Sequence, residues 1–435
     1  MKLTVGLFFG GRSAEHEVSV ISALQAYKHL DLSKYEVIPI YISKQGEFFT
    51  NPKFLEIKSY KDINALLFSS AQIVIGRKNG KPGFLHHGMF KKFTELDLAF
   101  PILHGATGED GSLQGMFEVY QLPYVGLGVT GSTLAMDKAS SKVLFKSLGF
   151  DVANYVEVKR LDWWKDQKVC IDNILGKNNS SPQYTSSLRK RGSAVKDQNT
   201  KTDSRFHPKS ATHFVVARRN DETHGLKFPL FVKPATGGSS IGAGLANNED
   251  ELQFAIEVAA IYSEKIMIEE AFENCIEVNC AALGYEDIKA SVCEMPIPTK
   301  DLLSFSDKYQ RGGKGSKSAG GMESLTREIP APISKDLTKQ IQDATIKIFK
   351  AMDGCGVARI DFFVDQKKNK FWVNEVNSPP GSLAFYLWEK TGDGLSYTKL
   401  LDELIEQGMK RAENAKKTQY IFESGLLSQM AKAAK

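Results

Sequence analysis

The stretch from Gly356 to Gly381, GVARIDFFVDQKKNKFWVNEVNSPPG, constrains this chain more than any other. Two runs rich in Val, Phe, Ile and Trp flank a polar DQKKNK, a pattern that predicts two antiparallel strands and a tight turn. A hairpin centred near Lys368 sets Asp361 opposite Glu375 and Arg359 opposite Asn377. Side chains alternate faces along a strand, so this register gathers all four on one patch. Two carboxylates directly across a strand pair repel. A hard cation between them removes the repulsion, and Mg2+ takes oxygen ligands of this kind. The competing reading is a solvated face with ordinary charges. The partly apolar neighbours and the Asn-Ser-Pro-Pro-Gly loop that follows favour the metal.

A chain of 435 residues has room for two or three domains. No apolar run approaches the ~20 residues of a membrane span. The first apolar segment runs directly into Gly10-Gly11-Arg12 without a small-residue cleavage site, so it predicts a strand rather than a signal peptide. Five cysteines, scattered and without metal spacing, fit reduced thiols in a cytoplasm. The net charge of +5 is concentrated between Gly176 and Ser210, where eight Lys or Arg stand against two Asp. The rest of the chain is near neutral, so no global basic field argues for a nucleic-acid partner.

In chain order, residues 3–9 predict a buried strand ending in Gly10-Gly11. A helix follows, capped by Ser13, with Glu15 and Glu17 in its first turn. A strand, a glycine turn and a helix start form an anion or ligand site by geometry. Further strands are predicted at 37–43 and 96–103. The latter delivers His104 into a glycine-rich turn at a strand's carboxyl end, where ligands sit in α/β sheets. A helix spans 112–121. A second, 132–148, carries Lys138 and Lys142 four residues apart on one face, which on most helices is a solvated face. After a strand at 152–158, residues 160–225 break the pattern. The part from 176 to 210 is too poor in large apolar residues to order itself, and reads as a surface insertion. Its basic run leaves an RNA or partner contact open.

The apolar strand in FPLFVKPATGGSSIGAG (228–244) delivers Lys233, and the loop after it holds four glycines and two serines. Such a loop lets backbone N–H groups approach a phosphate, with Lys233 as a point charge. It is not a Walker loop, because the lysine precedes the glycines. A helix (250–263), strands at 266–272 and within 276–296, a polar loop (304–321) and an amphipathic helix (334–352) lead into the hairpin. Residues 382–412 read as helical, and 413–435 as a basic amphipathic tail.

The motifs LFFGGRSAEHEVS, HGATGEDGSLQG, MDKASSK, KPATGGSSIG, FSDKY, ARIDFF and NEVNSPPG, in that order, resemble the D-alanine–D-alanine ligase family of ATP-grasp enzymes. The match spans nearly the whole chain apart from 160–225 and the tail. The resemblance implies an α/β ATP-grasp fold of three domains: an N-terminal open parallel-sheet domain (1–126), a central domain (127–235) and a C-terminal catalytic domain (236–412). ATP would be gripped between the last two. It implies that ATP phosphorylates the carboxylate of one amino acid, and that the amine of a second attacks the acyl phosphate. It also implies a possible homodimer and small-molecule substrates, with no membrane partner.

By the same resemblance, Glu15 looks like the group that holds the first substrate's ammonium, with His104 nearby. Glu15, Ser239 and Tyr309 look like a hydrogen-bonded set. Lys138, Lys233, Gly238 and Ser240 look like phosphate contacts, Glu269, Glu270 and Phe272 like the adenine segment, and Glu277 like the ribose ligand. Lys308 belongs to a loop that closes over the phosphates, and Ser382 to the substrate site. Asp361, Glu375 and Asn377 look like ligands of two Mg2+ ions (Mn2+ as an alternative). Arg359 and the backbone N–H of Gly381 look like oxyanion stabilisers. The chain departs from the family after Pro380-Gly381. Of the Thr and the Ser that help seat the second substrate's carboxylate, the Thr position is Leu383 and the Ser is replaced or deleted around Tyr386, in a segment that looks shortened. An altered preference at the second subsite is expected.

Overall fold

The computed structural model describes residues 2–88, 92–177, 217–218, 225–238, 240–297, 326–419 and 424–433. They form two compact units. The first holds Met1–Ala153, Ala235–Ile241 and Phe272–Lys435, and the second Asn154–Pro234 and Gly242–Ala271.

The first unit contains two sheets. One has seven strands: β1 (Leu3–Gly10), β2 (Tyr35–Ile42), β3 (Phe48–Thr50), β4 (Ala71–Lys78), β5 (Lys81–His86), β6 (Phe93–Glu95) and β7 (Leu98–Ile102), in the order β6-β5-β4-β3-β2-β1-β7. Only the β1–β2 and β1–β7 pairs are parallel, and the pairs from β2 to β6 are antiparallel. The expected parallel sheet is therefore a three-strand core extended by an antiparallel meander. The Asn79-Gly80 turn between β4 and β5, with φ of 52° and 78°, has the composition and handedness of a tight hairpin.

Helix α1 (His16–His29) packs on this sheet, and the short α2 (Ile63–Phe68) follows β3. Glu15, not Ser13, is the α1 N-cap. Ser13 instead accepts from the Glu15 N–H at 3.0 Å and donates to the His104 carbonyl at 2.6 Å, tying the loop after β1 to the loop after β7.

Helix α3 (Ser112–Tyr120) is followed by α4 (Val129–Met136) and α5 (Lys138–Ser147) in place of one continuous helix. The break is at Asp137, whose carboxylate accepts from the N–H groups of Ala139 and Ser140, while its backbone bridges to Thr236. Aspartate competes for backbone donors in this way and so favours caps over helix interiors. Lys138 and Lys142 are both buried, so this face of α5 is not the solvated one expected.

The second unit is a five-stranded sheet ordered β11-β10-β12-β8-β9. Its strands are β8 (Tyr155–Lys159), β9 (Ala217–Arg218), β10 (Leu230–Pro234), β11 (Gly244–Ala246) and β12 (Lys265–Glu270). It is backed by α6 (Arg160–Lys165), α7 (Gln167–Ile174) and α8 (Glu249–Tyr262). The pattern break expected from residue 160 therefore begins later. Trp163, Cys170 and Ile174 are fully buried and anchor α6 and α7 in this core. Most of the basic insertion, and the 304–321 loop, lie outside the described residues.

The second sheet of the first unit runs β15-β14-β13-β16-β17. Its strands are β13 (Ile276–Gly284), β14 (Lys289–Pro296), β15 (Arg327–Glu328), β16 (Gly356–Asp365) and β17 (Lys370–Asn377). Helix α9 (Lys335–Ala351) covers one face through Leu337, Ile341, Ala344 and Ile348, which pack with Ile360, Phe362, Val364, Val373 and Val376. The register around the acids is the expected one: Arg359 pairs with Asn377 and Asp361 with Glu375. Towards the turn it slips by one, because a bulge at Asn374 sets Phe362 against Val373 and Asp365 against Lys370. After a tight turn (381–384), α10 (Phe385–Trp388), α11 (Tyr397–Ala415) and α12 (Leu426–Ala433) complete the chain.

His16 opens α1 with its Nδ1 at 2.7 Å from the Gly11 carbonyl and its Nε2 at 2.9 Å from the Tyr41 hydroxyl. Burial holds this imidazole below its ordinary value of 6.5. The unfolded chain therefore binds its proton more readily, and stability falls as pH drops below that value. Thermal melts from about pH 7.5 to about pH 5.5 should show a falling Tm, with a smaller fall in His16→Gln.

Candidate active site

The alternation of β16 and β17 aims Ile360, Phe362, Val373 and Val376 at α9 and leaves Arg359, Asp361, Glu375 and Asn377 on the opposite face. The Asp361 carboxylate, 3 % exposed, receives both Nε (2.7 Å) and a terminal nitrogen (2.8 Å) of Arg359, and the Asn377 amide at 2.9 Å. Bidentate guanidinium–carboxylate pairing of this kind is among the stronger charge-assisted contacts. Burial works against the Arg359 charge, but Asp361 outweighs it and raises the guanidinium well above its ordinary value. Across the strand pair, Glu375 lies 3.5 Å from Lys138 Nζ, which also donates to the Gly237 carbonyl.

The polar row continues across the sheet. Asn279 is in register with both Asp361 and Glu294. Its amide nitrogen reaches Asp361 Oδ1 at 3.1 Å and Glu277 Oε1 at 3.2 Å in one orientation, and Glu294 Oε1 at 3.4 Å in the other. Glu277 pairs in register with Phe363, and Phe272 stacks on Phe363 and Trp372 with ring centroids 5.0 and 4.8 Å away. An apolar platform thus adjoins the charged row.

Two carboxylates and an amide oxygen on neighbouring strands form a hard-oxygen donor set that fits Mg2+. Among the described residues, no group of three or more His, Cys, Asp or Glu side chains comes together as a metal site.

Glu15 is buried at the start of α1 between two glycines. A Cβ on Gly238 would lie 2.5 Å from Glu15 Oε2, and one on Gly105 2.8 Å from the same atom. A side chain at either position would displace this carboxylate. His104 is buried beside it, with Nε2 3.1 Å from Ser22 Oγ on α1. Burial lowers its imidazole below the ordinary value, which favours the neutral form.

Ser382, Leu383 and Ala384 all have φ between 50° and 55°, a left-handed run without glycine directly after Gly381. Such backbone is costly for L-residues and persists only where the surroundings hold it. Here Ser382 donates to Gln25 Oε1 of α1 at 2.8 Å, and Leu383 and Ala384 are buried in the core. Ser240 is exposed, with φ of 56°. In the second unit, Lys233 and Glu269 form a buried pair at 2.6 Å, and Glu270 accepts from Asn154 at 2.8 Å. Ser239, Lys308 and Tyr309 lie outside the described residues.

Several residues at these loops and strands were not foreseen. Glu109 accepts from the Gly105 N–H, and burial, reinforced by Glu15, raises it well above the usual carboxylate range. Gln25 and Ser22 lie on the α1 stripe that continues from Glu15. Asn279 and Glu294 are polar positions alternating with buried apolar ones, a period-2 signal that marks a polar strand face.

The Arg359–Asp361 pair gives a stability test. Arg359→Met strips Asp361 of its bidentate partner opposite Glu375 and should cost about 3–5 kcal/mol in urea unfolding. Asp361→Asn should cost less, because it also removes the repulsion with Glu375.

Comparison with known proteins identifies the family and the fold. The family model described as D-ala D-ala ligase N-terminus matches residues 4–127, and that described as D-ala D-ala ligase C-terminus matches 205–406. A D-alanine–D-alanine ligase of Acetivibrio thermocellus is 32% identical over 427 residues, covering 94% of this chain and 96% of that protein. The solved D-alanine-D-alanine ligase from Coxiella burnetii superposes with a TM-score of 0.70 at 26% identity, covering 100% and 99% of the two chains. The VanG D-Ala:D-Ser ligase from Enterococcus faecalis gives 0.69 at 26%, covering 94% and 100%. The two sheets that carry the charged row and the glycine loops are therefore those of an ATP-grasp enzyme, and the chain belongs to the D-alanine–D-alanine ligase family.

Proposed function

We propose that this chain is an ATP-dependent D-alanine–D-alanine ligase that supplies the dipeptide for peptidoglycan precursors, acting in the cytoplasm. The observation that carries the reading is the face of β16 and β17, where an acid pair, a clamped arginine and Gly381 lie along one hairpin and its exit. Family membership supplies the reaction class.

In this reading a carboxylate oxygen of the first D-alanine attacks the γ-phosphorus of ATP, forming an acyl phosphate and ADP. The amine of the second D-alanine then attacks the acyl carbon, loses a proton, and expels phosphate. Phosphoryl transfer asks mainly for positioning and charge. Glu15 holds the first ammonium, with neutral His104 beside it. Lys138, Lys233, Gly238 and Ser240 contact phosphates. Glu269, Glu270 and Phe272 meet the base, and Glu277 the ribose. Asp361, Glu375 and Asn377 would hold Mg2+, which neutralises phosphate charge when bound. Arg359 and the Gly381 N–H stabilise the tetrahedral oxyanion, where preorganised donors contribute most.

A second reading, ligation to a different acceptor, is favoured by Leu383 at the position where the family has a Thr, and by the replacement or deletion of its Ser around Tyr386. ADP release with single amino acids and with pairs separates the two. Stimulation by D-alanine alone supports the first reading, and stimulation only by another pair the second. Mg2+-dependent ADP release should be lost in Asp361→Asn while the thermal melt stays cooperative. Turnover near wild type would remove the metal assignment.

A further inference from the structure

Strand β13 lies between β14 and β16, and every second residue of it shares one face. On that face Glu277 is followed by Asn279, which is 2 % exposed and opposite Asp361 in register. Three carboxylates surround this amide: Glu277 on its own strand, Asp361 on β16 and Glu294 on β14.

An amide carries two N–H donors at one end and only an acceptor at the other, so it cannot serve all three acids. Glu294 is supplied by other groups. The Tyr386 hydroxyl donates to its Oε1 at 2.9 Å, and Arg327 to its Oε2 at 3.1 Å. Glu277 and Asp361 converge on the opposite side of the amide. An oxygen there would face two carboxylates, whereas a nitrogen reaches Asp361 Oδ1 at 3.1 Å and Glu277 Oε1 at 3.2 Å. The nitrogen therefore belongs on that side, and its remaining contact, 3.3 Å to the Val278 carbonyl, is the longest. Two N–H groups, one for each acid, join side chains whose charges repel. Hydrogen bonds to ionised acceptors are the stronger kind, and such outer partners fix the aim of the groups they touch.

Resting on the ligase reading above, we propose that Asn279 is a positioning residue that couples the two halves of the nucleotide site. It holds Glu277 for the ribose hydroxyls and Asp361 for the cation on the phosphates. Ribose recognition and metal affinity are then one linked property, set by a single buried amide.

The test is equilibrium binding of ADP and of 2′,3′-dideoxy-ADP, each with Mg2+, by calorimetry on the intact enzyme without amino acid. Wild type should favour ADP by about tenfold or more, as expected for a hydroxyl donating to a carboxylate. Asn279→Leu should bring that preference below about threefold. It should also raise the Mg2+ concentration that half-saturates ADP binding by about tenfold. Asn279→Asp, close in shape but without the two donors, should lower the ribose preference in the same way, and serves if the Leu variant folds poorly. A preference kept in either variant, whatever happens to Tm, would mean that Asn279 only fills the strand face, and would overturn the proposal. So would a Mg2+ dependence that stays put in Asn279→Leu while the preference falls. A wild type that does not distinguish the two nucleotides fails earlier, at the assignment of Glu277 to the ribose, and takes this inference with it.

Discussion

Two carboxylates set face to face on neighbouring strands are the constraint around which the first unit is built. Asp361 and Glu375 cannot share a sheet position without compensation, and the fold supplies it from two sides. Arg359 reaches along its own strand to clamp Asp361, and Lys138 reaches Glu375 from the first residue of α5. Lys138 is free to do so only because Asp137 ends one helix and starts the next. The compensation is partial by design of the geometry: both acids keep their oxygens on the polar face, opposite the Ile, Phe and Val side chains buried under α9.

A second centre of organisation is α1. Its start carries Glu15, two turns further Ser22 meets His104, and the next turn meets Ser382 through Gln25. One helix therefore fixes the loop after β7 and the left-handed turn after Gly381. The close approach of Gly105 and Gly238 to Glu15 extends this to the glycine loop. The loops that a ligand would touch are short, bonded to one another, and set by a rigid element, which is how functional sites gain precision.

Much of this was legible because strand alternation is a strong local signal. The facing of Arg359, Asp361, Glu375 and Asn377 follows from period two and a short polar turn. Where local signals compete with tertiary contacts, the reading failed. Residues 132–148 read as one helix, since nothing local shows that Thr236 bridges Asp137. Lys138 and Lys142 read as solvated, since nothing within the helix shows that the rest of the fold buries both. The antiparallel half of the first sheet was overlooked although Asn79-Gly80 is a strong hairpin pair. Glu294, Arg327 and Tyr386 are separated by long stretches of sequence, and only the β14–β15 pairing and the exit from β17 bring them together.

The bulge at Asn374 has a consequence for how this hairpin tolerates change in length. In an unbroken ladder, Phe371, Val373, Glu375 and Asn377 would all point the same way. The one extra residue reverses the parity, so that Phe371 and Val373 stay with Val376 under α9 while Glu375 turns outward. Removing Asn374 would leave Val373 inward and Glu375 outward in a regular ladder, whereas flattening the bulge with every residue kept would send either the acid into oil or the valine into the polar face. The hairpin can therefore lose that one residue and keep both faces, because what is held between Val373 and Glu375 is the direction of the two side chains and not the number of residues that separates them.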